Sequence, residues 1–87
     1  MAGKNQEKRR VKNVLHAEKV WEREQIQAAA AQKAIEDAYA LIQANKDEIE
    51  PDKLAMIEAE VGARLKEIEE FLFKARDKYL AKLNQLT

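Results

Sequence analysis

The chain has no cysteine, one proline and two glycines among its 87 residues. Without cysteine it forms no disulfide and offers no thiolate to a metal, which excludes stapled secreted scaffolds and zinc ribbons. Aromatic residues make up only 6%, and no run is apolar and long enough to span a bilayer. The N-terminus "MAGKNQEKRRVKN" is basic, but no apolar stretch follows it as in a signal peptide. The expected location is therefore cytoplasmic, or inside a soluble assembly such as a virion.

Chemistry-bearing residues are equally sparse. There is one histidine, His16, and the residue three before it is Asn13, so the Glu-x-x-His pair of a bundle metal site is missing. "EIEEF" supplies Glu67, Glu69 and Glu70, with no glycine-rich turn, nucleophile or metal pair beside them. Carboxylates in that pattern form a solvated helix face, supported by Glu60–Arg64 and Glu70–Lys74 at helical spacing. The expectation is a non-enzymatic protein with no catalytic, cofactor or metal site.

What the chain has is helix. Charged residues reach 37%, close to the bias of coiled coils and long helices. Between Asn5 and Asn45 no glycine or proline intervenes, and Val14, Trp21, Ala28, Ile35 and Ile42 recur every seven residues. Val20, Ala34, Tyr39 and Leu41 widen this stripe. Within it, "IQAAAAQKAIEDAYALIQA" is unusually rich in alanine, the best helix former but one that buries little surface.

The break falls in "ANKDEIEPDKLAM", where Asn45 suits a helix end and Pro51 suits the first position of a new one. From there the apolar row runs through Leu54, Ile57, Val61, Leu65, Ile68, Leu72, Ala75, Tyr79, Leu83 and Leu86. The spacing predicts helices over about 6–45 and 51–86, a turn at 46–50, and a basic, frayed segment at 1–12 ahead of the hairpin at 13–87. The fold class is all-α: a long, coiled-coil-like antiparallel two-helix hairpin.

With Asn45 and Pro51 flanking the turn, facing residue numbers should sum to about 96. That pairing puts Gly62 opposite Ala34, with Ala55, Ala59 and Ala63 as a small-residue ridge facing Ala31 and Ala38. Close backbone approach would then offset the helix cost of glycine, about 1 kcal/mol. At the open end Trp21 falls near Ala75, with Tyr79 within about a turn.

One seam cannot use every apolar residue. Leu15 and Ile26 lie off the stripe, Phe71 and Phe73 flank Leu72 on opposite sides, and Leu80 follows Phe73 one heptad on. These five form the expected partner-binding set, completing the hairpin into a bundle by self-association or with another protein. The charge, neutral overall, is polarised. Lys4, Lys8, Arg9, Arg10 and Lys12, with Lys74, Arg76, Lys78 and Lys82, make a basic end; Asp47, Glu48, Glu50 and Asp52 make an acidic tip.

These features predict a structural or assembly module docking through apolar helix faces, in the manner of small virion components or chaperone-like subunits. Two alternatives use the charged ends. One is a regulator that presents the acidic tip to a cleft such as an RNA polymerase channel. The other is nonspecific nucleic-acid contact through the basic end, for which no base-reading module or interleaved aromatic residue is present.

Overall fold

The computed structural model describes the backbone of residues 2–85 and the side chains of residues 6–85. The side chain of Lys4, and Leu86, lie outside them. Two helices, α1 (Ala2–Ala44) and α2 (Pro51–Asn84), are joined by a 3-10 turn (Lys46–Glu48) and pack side by side. The molecule is a rod of 71 × 16 × 12 Å. No strand occurs among the described residues, so the all-α hairpin is the fold.

The turn has a clear origin. The Asn45 side-chain amide donates to the carbonyl of Leu41 at 2.9 Å, satisfying one acceptor that the end of α1 leaves open. Backbone bonds from Glu48 to Asn45 and from Ile49 to Lys46 close the 3-10 turn. Glu50 is extended, as a residue before proline prefers to be, and Pro51 opens α2 where its missing N–H costs nothing.

The seam follows the two apolar rows. Val14, Ala28 and Ala75 are buried, and Trp21, Ile35, Ile42 and the α2 row from Leu54 to Leu83 are otherwise half-buried. The α2 row averages about 3.6 residues per turn, the natural period of a straight helix, so it keeps facing α1 along its length.

The register differs from the expected one. Trp21 stacks on Tyr79, with ring centroids 6.2 Å apart and planes 13° from parallel. At the other end the Gln43 side-chain amide donates to a Glu58 carboxylate oxygen at 3.3 Å. Facing numbers therefore sum to about 100. The 3-10 turn and the extended Ile49 and Glu50 climb past the end of α1, so α2 begins about one helical turn (~6 Å) further out.

This slide undoes the small-residue ridge. Ala31, Ala34, Ala38, Ala55, Ala59 and Ala63 are all exposed, and a Cβ built on Gly62 would meet nothing within 4 Å. Gly62 answers no close approach. Leu41, expected to widen the stripe, is 68% exposed, because the stripe passes through Tyr39 and Ile42 instead. Of the two helical ion pairs, Glu60–Arg64 forms at 3.6 Å and Glu70–Lys74 does not.

The slide also leaves α1 longer than its partner at the open end. Gln85 is level with about residue 15, so residues 2–13 run on as a single helix for about 18 Å past the end of α2. The start of α1 at Ala2 is earlier than the expected position near residue 6.

Candidate functional site

Because the seam uses one stripe of each helix, the rod presents two flanks, and the exposed apolar residues divide between them. Positions three, four or seven apart share a helix face. On one flank Phe71 stands beside Ala28, Ala31, Gln27 and Glu67, around a hollow of about 290 Å³. Ala31, Ala34, Ala38 and Leu41 continue that flank toward the turn as a single exposed ridge. The alanine-rich stretch thus makes a shallow outer surface rather than a thin seam.

The same flank deepens at the open end. A cleft of about 490 Å³ has the stacked Trp21 and Tyr79, Val20, Ala17 and Ala75 as its apolar part, and Asn13, His16, Glu24, Lys78, Lys82 and Gln85 at its rim. It exists because Ala17 and Ala75 are too short to fill the space beside the two large rings. His16 is an exposed rim residue, and no group of His, Asp or Glu among the described residues is arranged to hold a metal.

The opposite flank carries Phe73 and Leu80 on α2 with Leu15 and Val11 on α1, all exposed. Ile26, 70% exposed, lies three helical turns on from Leu15, on the same face of α1. Leu15, Ile26, Phe71, Phe73 and Leu80 are therefore all open to solvent, but they do not form one patch. Val11, Leu41 and Met56 are exposed as well. The signal for Leu41 and Met56 was present in their offset from the seam rows, and only the true register made it decisive.

At about 1.5 Å per residue, the basic overhang of α1 stands about 60 Å from the acidic tip along the rod, and Lys74 to Lys82 stand about 35–45 Å from it. Lys8, Arg9, Arg10 and Lys12 are exposed on the overhang of α1, and Lys74, Arg76, Lys78 and Lys82 are exposed on the last turns of α2 just behind it. At the tip Asp47 and Glu48 lie in the 3-10 turn, with Glu50 and Asp52 flanking Pro51, all exposed. No helix among the described residues is long and apolar enough to cross a membrane. Comparison of the chain with protein-family models, curated proteins and solved structures finds no match, so its function is argued from these surfaces alone.

Proposed function

We propose that the chain is a non-enzymatic structural module that docks through its apolar flanks inside a larger assembly, such as a virion component or a chaperone-like subunit. The observation that carries this reading is the amount of surface left open. The rod exposes 7334 Å², against about 5200 Å² for a compact monomer of its mass. No side chain among the described residues is fully buried, while both phenylalanines stand 45% and 55% exposed. Small domains need a larger core than this to be comfortably stable alone. Burial of either flank against another protein supplies the missing apolar contact, at about 25 cal/mol per Å². The acidic tip supports a regulatory reading less well, since carboxylates at a solvent-facing turn are common and these four enclose nothing.

Light scattering after size exclusion, across a range of concentrations, tests the reading with circular dichroism alongside. The expected result is either a multimer whose helicity and melting rise with concentration, or a monomer whose melting is low. A highly stable monomer, with melting indifferent to concentration and to replacement of both phenylalanines by aspartate, would sink it.

A further inference from the structure

We propose that the chain docks on a second copy of itself, antiparallel across the Phe71 flank, with the acidic tip of each hairpin against the basic overhang of the other. This rests on the assembly reading above and names its partner.

The geometry begins at the phenylalanine. On the observed register, Pro51 and Arg9 stand at equal distances along the rod, about 30 Å either side of Phe71. A two-fold axis through Phe71 therefore carries the turn of one copy onto Lys8, Arg9 and Arg10 of the other. Asp47, Glu48, Glu50 and Asp52 then face the one part of α1 that has no helix beside it.

The same rotation closes the two hollows of this flank. Helix α2 lies over α2 of the second copy, so the two Phe71 rings meet at the axis and cap the hollow of about 290 Å³ that each shares with Ala28 and Ala31. The exposed Leu41 arrives level with Ala17 and Lys82, at the cleft beside Trp21 and Tyr79. A leucine in that cleft covers the stacked rings, and the alanine ridge lets the helices come close.

Charges along the flank agree for the most part. Glu67 comes level with Lys74, and Glu60 with Lys82, of the other copy. Arg64 comes level with Lys78, and Lys53 with the basic overhang, as two like-charge approaches; Arg64 is already paired with Glu60. The overlap is about 60 Å long, and over a rod 16 Å wide it reaches the roughly 800 Å² per partner of a standard interface. A two-fold interface is self-complementary and closes on itself, so the product is a four-helix dimer and not a fibre. The Phe73 flank fits a second copy less well. Its apolar residues gather toward the open end, so a two-fold axis there leaves both acidic tips hanging free.

The test is the solution mass of the full chain with three sets of variants. Phe71→Asp should move a dimer to monomer mass, and Phe73→Asp should leave it a dimer. Reversing the tip (Asp47→Lys, Glu48→Lys, Glu50→Lys) should weaken the dimer at least tenfold, as should reversing the overhang (Lys8→Glu, Arg9→Glu, Arg10→Glu). Combining the two reversals should restore it. None of these six side chains touches the seam, so folding survives. Because the chain has no cysteine, Phe71→Cys should give a disulfide-linked dimer, and a mixture of Arg9→Cys with Glu48→Cys a crossed one.

A chain that is monomeric at every concentration overturns the second-copy proposal while leaving docking on a different protein intact. A dimer lost with Phe73→Asp but not with Phe71→Asp overturns the assigned face, and again the assembly reading stands. A dimer with neither charge rescue nor the crossed disulfide overturns the antiparallel arrangement.

Discussion

Gly62 and Trp21 show how differently two seam-adjacent residues bear on stability. Gly62 sits mid-helix with open space where a Cβ would go, so it carries the backbone entropy of glycine with no packing in return. Gly62→Ala should therefore stabilise the chain by about 0.5–1 kcal/mol, read as a higher melting midpoint at fixed protein concentration. Trp21 is half-buried and stacked on Tyr79. Trp21→Ala removes the aromatic stack between the helices and should cost about 2–3 kcal/mol, below the value for a fully buried tryptophan. Leu41→Ser, at an exposed position, should leave the isolated hairpin within about 0.5 kcal/mol of the parent. If the flank is an interface, the same substitution should weaken association, and the two readouts separate fold from docking.

Among the elements, the turn decides the most. Its hydrogen bonds, from Asn45 to Leu41 and through the 3-10 turn, set how far α2 is displaced along α1. Asn45→Asp removes the donor to the Leu41 carbonyl and adds a negative charge beside Asp47 and Glu48. It should cost about 1 kcal/mol, visible as earlier unfolding in urea, whereas Asn45→Gln should retain part of the bond. The overhang of α1 behaves in the opposite way. Gln6 to Asn13 are exposed throughout, and isolated helical segments of that length are marginal in water. Amide exchange should therefore be fastest there and slowest around Ala28 and Ala75, the buried centre of the seam. Protection of residues 6–13 that grows with protein concentration would mark the overhang as part of an interface.

For the whole molecule, shape and charge act together. A rod 71 Å long with a basic pole and an acidic pole has a large dipole despite formal neutrality. Two such rods attract most strongly when antiparallel, which is the arrangement the Phe71 flank also favours. Exposed charge pairs are screened within about 8–10 Å at moderate salt. Raising salt should weaken an antiparallel dimer through its ends, while the apolar centre at Phe71 keeps some affinity. A dimer whose dissociation constant ignores salt would place the contact away from the poles.

Much of the fold was legible in the sequence. The heptad row through Val14, Trp21, Ala28, Ile35 and Ile42, the α2 row and the Asn45–Pro51 break determined two helices, their facing stripes and an antiparallel hairpin. Periodicity carries that information because each helix must bury one stripe whatever its partner is. The surplus of Leu15, Ile26, Phe71, Phe73 and Leu80 was equally readable, since none fits the stripe. What the tertiary structure alone decided was register. A slide of one turn preserves every stripe, so the apolar pattern barely discriminates it, and turn geometry settles the matter. That slide left the alanines exposed and the space around Gly62 open, stacked Trp21 on Tyr79 and left residues 6–13 without a neighbour among the described residues of α2. It also set which surplus residues of one helix stand level with which of the other, because spacing fixes a residue's side of its own helix and only packing fixes its neighbour on the next.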